Sequence, residues 1–405
     1  MGERFDVGGV WLERPFKIRR LGHFGFDVRD MQASLAFYEE HLGFQVSDVL
    51  DFARVHPRPE ELAGLGDPVG RFMRHGSDHH SFVLFPRRVR DAMRRGSGVP
   101  ADVTINQITW QVGSLSEVTL GAEWLARRGV RIARSGRDNP GSNWHTYPVD
   151  PDGHTNELYY GIEQIGWDGL SKPGALHERS FRDVPPLPQT SEQDELRQAL
   201  ARGVDLGAGH RHVERPGRRY DVGGVLLPRP FKIVRIGPLR LFSRDLESSL
   251  VFFRDSLGLS VTEEVRFEGA RCVFLRAGTE HHSLALYPIE LRERLAASPH
   301  TTCLSFGLQL ASYRQLRDAV AYLKERGVRV DELPGALTPG IEHSVLVFDP
   351  DGHALQLYFQ MEQVGWDGRP RPAERRAAVP LSQWPEAIDA RPDTFAGEPF
   401  LGPWG

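Results

Sequence analysis

The sequence predicts a mixed α+β fold built from four tandem strand-helix-strand-strand-strand units, two in each half of the chain. Three observations carry that expectation. The 405-residue chain repeats itself: FDVGGVWLERPFKIRRLG (Phe5 to Gly22) returns as YDVGGVLLPRPFKIVRIG (Tyr220 to Gly237), and DPDGHTNELYYGIEQIGWDG (Asp150 to Gly169) returns as DPDGHALQLYFQMEQVGWDG (Asp349 to Gly368). Within each half, the order of alternating and helical patterns runs through twice. The repeated unit in each half is also about 150 residues long, enough to bury a core of its own.

The elements follow in order. RRLGHFGFDV (Arg19 to Val28) alternates as a half-buried strand, and Met31 to Gly43 spaces Leu35, Phe37, Tyr38 and Leu42 for an amphipathic helix closed by glycine. Strands are expected near Phe44 to Phe52, Gly70 to Arg74 and His79 to Phe85. The second unit opens with a strand at Ile108 to Ser114. A helix near Ser116 to Arg128 ends at Gly129, a strand follows in VRIAR, another lies near Trp144 to Val149, and a DPDG turn leads into NELYYG. The expected domains are 18–170 and 219–369, with an amino-terminal arm at 1–17 and a Pro-rich tail at 370–405. A linker at 171–218 carries a short helix at Thr190 to Gly203, opened by a Thr-x-x-Gln capping box.

Composition narrows the partners. A formal net charge of -4 offers no basic field for nucleic acid or anionic lipid, so a small molecule is the expected partner. The two cysteines, Cys272 and Cys303, make no disulfide framework, and there is neither a signal-peptide pattern nor a long apolar run. A cytoplasmic location is expected, away from membranes.

GHFGFDVRDMQASLAFYEEHLGF, followed by an HHS strand and a DPDGxxxE turn, resembles the vicinal oxygen chelate superfamily of glyoxalases, fosfomycin- and bleomycin-resistance proteins and type I extradiol dioxygenases. The resemblance covers most of both halves and rests on the order and spacing of short motifs found twice. It implies that paired βαβββ modules curl into open half barrels, with a divalent metal held inside by residues from a module's first and last strands. Carried over position by position, it places His23, Gln107 and Glu157 in the ligand slots; the second half has Pro238, Ser305 and Gln356 there and cannot bind a metal in that way.

The copies argue for this site without any homologue. Packing residues persist in both halves, whereas His23 and Glu157 become non-ligands in the second. A histidine opening a strand is more often structural, and a lone glutamate after a turn is usually solvated; the double loss outweighs both. Gln107 departs from the 2-His-1-carboxylate face of iron oxygenases. Three readings stand: its carbonyl oxygen coordinates, another histidine such as His80 or His145 replaces it, or the metal has been lost.

His79-His80 resembles the extradiol doublet whose second histidine serves as acid-base catalyst, which maps to His80. The second half keeps His281-His282, so the doublet also admits a purely structural role. In NWHTYPVDPDG the resemblance puts Tyr147 in the substrate-facing tyrosine position, with His145 and Asn143 approximating a hydrogen-bonding pair; the second half has Leu346, Ser344 and Glu342. Trp110 and Trp144 could stack on an aromatic ligand, although core packing is the commoner fate. The expected activity is that of an extradiol-type, ring-cleaving dioxygenase. It would take an aromatic or other vicinal-oxygen substrate and O2, with Fe(II) as the metal and Mn(II), Zn(II) or Ni(II) as alternatives. The second choices are a glyoxalase-like isomerase or lyase and a non-catalytic binding protein. A homo-oligomer is expected from the exposed strands and arms of such proteins.

Overall fold

Nine consecutive residues with eight of them buried make β3 (Arg20–Val28) the centre of the first half: Phe24, Phe26 and Val28 face the core, and His23, Gly25 and Asp27 face the other way. In this computed structural model, which describes residues 3–137, 140–166, 168–176, 190–365 and 367–388, the amino-terminal arm is a hairpin of β1 (Phe5–Val7) and β2 (Val10–Leu12). Its turn is Gly8-Gly9, both at positive φ, as a tight hairpin turn requires. The first module continues through β4 (Gln45–Asp51), β5 (Val69–Arg74) and β6 (Phe82–Pro86). The second contributes β7 (Ile105–Gln111), β8 (Ile132–Arg137), β9 (Trp144–Pro148) and β10 (Asn156–Tyr160). These eight strands form one curled sheet in the order β4-β5-β6-β3-β7-β10-β9-β8, so the first strands of the two modules lie side by side at its middle.

The second half repeats the plan. Its arm is β11 (Tyr220–Val222) and β12 (Val225–Leu227). Its sheet comprises β13 (Ile233–Ser243), β14 (Ser260–Phe267), β15 (Ala270–Arg276), β16 (Leu284–Pro288), β17 (Cys303–Leu310), β18 (Val330–Asp331), β19 (Ser344–Phe348) and β20 (Ala354–Tyr358). Strand order is the same, β14-β15-β16-β13-β17-β20-β19-β18. The chain is thus α+β, with two half-barrel sheets made of four βαβββ modules.

Three local expectations need correction. The helix after β3 is α-helical only at Met31–Leu35 and widens into a π-helix at Ala36–Leu42 before Gly43 ends it at φ 90°. The wider turn brings Phe37, Tyr38 and Leu42 onto one buried face. The His79-His80 doublet precedes β6 rather than lying in it. The linker helix is Glu192–Ala201, and Ser191, not Thr190, caps it by accepting from Asp194 N–H. Residues 177–189 of the expected linker and 389–405 of the expected tail lie outside the described residues, as do Trp167 and Trp366 of the repeated GWDG motif.

The halves pack by mutual exchange. Phe24 stacks on Phe306 with centroids 4.2 Å apart, within a core shared by both sheets. The arms cross over: the Arg14 guanidinium covers Gly258, and Arg229 covers Gly43, the glycines that close the equivalent helices of the opposite halves. A side chain on either glycine would collide with the arginine. The DPDGH turns cross as well. His154 Nε2 meets Thr302 Oγ1 at 2.7 Å, and His353 Nε2 meets Thr104 Oγ1 at 3.1 Å.

Candidate functional site

Sheet register gathers the polar residues of the first half on the face that β3 turns away from the shared core. Parallel pairing sets Glu157 beside Thr109, and antiparallel pairing sets Tyr159 beside His145. By alternation Asn143, His145 and Tyr147 join that face. His23 Nε2 lies 3.1 Å from Glu157 Oε2, with both side chains buried. Asn143 Nδ2 donates to Glu157 Oε1 at 2.6 Å, so both carboxylate oxygens are engaged. His23 is fixed from its backbone: its N–H donates to Thr109 Oγ1 at 2.5 Å and its carbonyl accepts from the same hydroxyl at 2.7 Å. This bridge sits where the register of β3 on β7 shifts between Leu21 and Phe24, and such an irregularity re-aims a side chain.

The pair suits a shared cation. Ligands about 2.1 Å from an ion and about 90° apart are separated by about 3 Å, which is the His23–Glu157 spacing. Burying an imidazole against a carboxylate otherwise costs desolvation on both sides. Among the described residues no group of three His, Cys, Asp or Glu is gathered for an ion, so a third protein donor would be of another type. Gln107 is of that type. It pairs with Gly25 two residues along β7 from Thr109, and no described hydrogen bond joins it to His23 or Glu157.

His80 stands beside the pair, its ring 4.2 Å from that of His23 and its Nδ1 3.0 Å from His79 Nδ1. Burial first, and then the neighbouring His23 and His79, hold its pKa well below the ordinary histidine value. His145 and Tyr147 form a second group on β9. Their rings are 4.5 Å apart, Arg134 Nη1 donates to His145 Nε2 at 3.1 Å, and the Arg134 guanidinium lies 4.7 Å over the Tyr147 ring. Asn143 connects the two groups. The structure thus brings His23, Glu157 and His80 together, keeps His145 and Tyr147 on the adjoining strand, and leaves Gln107 without a described bond to the pair.

Sequence reasoning missed several neighbours. Thr109 and Arg134 carried no motif, and Asn143 was paired with His145 rather than with Glu157. Tyr159, whose ring lies 5.0 Å from that of His23 and whose phenol burial pushes up, was readable as the residue two after Glu157 on the same strand face. Trp110 is core, with Nε1 donating to Asn156 Oδ1 at 3.0 Å, and Trp144 lies under Arg137.

The same place in the second half is filled differently. Arg240, the counterpart of Gly25, is fully buried; its Nη1 donates to Gln356 Oε1 and its Nη2 lies 3.1 Å from His282 Nε2. Gln356 and His282 are the counterparts of Glu157 and His80. Two grooves of the molecule lie between the halves, one lined by Arg128, Asp150 and Arg244 and another by Asp27, Arg87 and His353. The first-half pair is enclosed, with His23 and Glu157 at 1% and 0% exposure. Among the described residues no helix is long and apolar enough to cross a membrane.

Comparison with known proteins agrees with this architecture. The family model for the Glyoxalase/Bleomycin resistance protein/Dioxygenase superfamily matches residues 20–158 and 235–357. The chain is 24% identical over 148 residues to the 3-methylcatechol 2,3-dioxygenase of Pseudomonas putida, and 28% identical over 165 residues to metapyrocatechase 2 of Cupriavidus necator. Those matches cover 36% and 40% of this chain and 43% of each relative. The Mn(II)-bound glyoxalase from Novosphingobium aromaticivorans superposes with a TM-score of 0.53 at 17% identity, covering 88% of this chain and 89% of that one, a likeness of fold alone. With both halves matched, the chain belongs to the glyoxalase, bleomycin resistance protein and dioxygenase superfamily, whose shared fold is that of the vicinal oxygen chelate proteins.

Proposed function

We propose that the chain is a metal-dependent dioxygenase of the extradiol type, acting on a catecholic or other vicinal-oxygen molecule with its site in the first half, the domain spanning residues 18–170. The observation that carries this reading is the buried His23–Glu157 pair at 3.1 Å, braced by Asn143 and flanked by His80. The distant likeness to two catechol-cleaving enzymes points the same way. His23 and Glu157 would hold the ion, with the Gln107 side-chain carbonyl as the third protein donor. Fe(II) is the metal this chemistry asks for: when bound, it would acidify a coordinated phenol and provide a site for O2.

The remaining work belongs to the chain. His80, kept neutral by burial, accepts the proton of a substrate hydroxyl and can return it to the product. Tyr147 and His145 orient the substrate from β9, and Asn143 keeps the Glu157 carboxylate from turning. The closed surroundings exclude bulk water.

Gln107 favours a second reading, because an amide oxygen is a neutral, weaker donor than imidazole: a glyoxalase-like isomerase or lyase that needs no oxygen. Two measurements separate them. Elemental analysis of protein purified without added metal should find about one divalent ion per chain, and oxygen uptake should accompany loss of added catechol. His23→Ala and Glu157→Gln should each abolish metal binding and turnover together. Metal without oxygen uptake supports the isomerase or lyase reading, and metal content unchanged in His23→Ala removes the metal site from consideration.

A further inference from the structure

The two halves carry the same short chain of side chains beside the cup, and in the second half its proton direction is fixed. A guanidinium has donors only, so Arg240 Nη2, 3.1 Å from His282 Nε2, makes that nitrogen an acceptor. The neutral His282 ring then carries its proton on Nδ1, which donates across 3.0 Å to His281 Nδ1. His281 in turn carries its proton on Nε2, facing Glu263 Oε1 at 3.4 Å. Glu263 is clamped by Arg376, whose two Nη atoms each donate to it at 2.6 Å.

The first half has the equivalent residues at the equivalent places: Asp48 on β4 for Glu263, His79 for His281, His80 for His282. Asp48 Oδ2 lies 3.7 Å from His79 Nε2, and His79 Nδ1 lies 3.0 Å from His80 Nδ1. Asp48 Oδ1 accepts the Val49 N–H at 2.8 Å, which turns the other oxygen toward the histidine. Glu163 is buried nearby, where burial pushes its carboxyl pKa up and the neighbouring His79 opposes that shift. What the first half lacks is the arginine: Gly25 has no side chain to send to the inner histidine.

We propose that Asp48 is a positioning residue that acts through His79: it keeps the His79 proton on Nε2, hence the His80 proton on Nδ1, and so presents the lone pair of His80 Nε2 to the cup. Where Arg240 donates to His282 in the second half, the hydroxyl of a bound substrate donates to His80 in the first. The tautomer assignment rests on the donor chain of the second half and on the electrostatic preference of an N–H for the Asp48 carboxylate, which at 3.7 Å from His79 Nε2 lies beyond hydrogen-bond reach; the use of that lone pair rests on the dioxygenase reading above. Asp48 and His79 make the resting His80 a proton acceptor rather than a donor, which is the state the first deprotonation of a diol needs.

The test is nitrogen-resolved NMR of the full chain labelled with 15N-histidine and treated with a chelator to remove paramagnetic ions. The His80 and His282 signals, among 16 histidines, are identified by their loss in His80→Gln and His282→Gln. Both rings should be protonated on Nδ1 and bare on Nε2. Asp48→Asn, nearly isosteric at a partly exposed strand position, should shift His80 toward the Nε2-protonated form and leave His282 unchanged. Glu263→Gln should leave both unchanged, since Arg240 holds His282 from the other side. In the metal-loaded enzyme, Asp48→Asn should lower kcat by about tenfold with KM changed less than about twofold, and Asp48→Glu should restore it. His80 protonated on Nε2 in the unsubstituted chain, or unmoved in either Asp48→Asn or His79→Gln, overturns the proposal. The expected tautomers without any catechol turnover would overturn the dioxygenase reading and leave this one standing.

Discussion

Gly25 and Arg240 occupy one position in two copies of a strand, and that exchange explains much of the difference between the two cups. In the second half a buried guanidinium of the chain's own ties together Gln356 and His282, so a positive charge already fills that cup and opposes a metal cation. In the first half a Cβ on Gly25 would run into the Val83 carbonyl oxygen and the Asn106 amide. A side chain can rotate away, but a ladder carbonyl cannot. Gly25→Ala should therefore cost about 1–3 kcal/mol by overpacking, read as a lower denaturant midpoint with unchanged slope. Because Gln107 pairs with Gly25, the same change should weaken metal retention. A Gly25→Ala chain as stable as the parent would mean that β3 packs less tightly against β6 and β7 than these contacts require.

At the scale of elements, the arms are the parts whose partners no local pattern announces. Strand alternation in β3, β7 and β10 was readable because a period of two survives in a buried strand whose faces differ in polarity. The meeting of His23 with Glu157 was readable for another reason: duplication left the scaffold constant and let the polar differences stand out. The π-turn of the first helix was not, since Phe37, Tyr38 and Leu42 fit an α-helix nearly as well until the core demands that all three be buried. Nor were the Arg14–Gly258 and Arg229–Gly43 contacts, which join residues about two hundred positions apart. In each, a guanidinium covers a glycine that closes a helix, the end where unsatisfied carbonyls and the helix dipole favour positive charge. Arg229 also donates to Glu214 Oε1 at 2.7 Å and is almost wholly buried. Arg229→Ala should destabilise the chain by about 1–3 kcal/mol, and Arg229→Lys should recover only part of the loss. Thermal melts of the two variants would decide this; equal stability of Arg229→Ala and the parent would reduce the arm to a passive strap.

Across the whole molecule, the halves are held by paired crossings, and one of them titrates. His154 sits between Asp150 of its own turn, with Nδ1 2.9 Å from Oδ2, and Thr302 of the other half. Burial disfavours the charged ring, but the Asp150 carboxylate, with Asp152 behind it, outweighs burial, so the folded-state pKa of His154 is raised above its ordinary 6.5. A raised histidine pKa means that the folded protein binds the proton more tightly than the unfolded chain does. Its contribution is therefore complete below about pH 6.5 and is lost as pH rises through the folded value. The free energy of unfolding should fall across that window, and His154→Gln should remove that part of the slope while lowering stability at pH 6. Thr302→Val, which deletes the acceptor in the opposite half, should weaken the association of the halves while leaving the Asp150 pair intact, so its pH slope should persist. Denaturant titrations at several pH values on the three proteins would distinguish these outcomes. A parent chain whose stability is flat from pH 6 to 9 would show that Asp150 does not hold a proton on His154, and that the crossing works only as a neutral hydrogen bond.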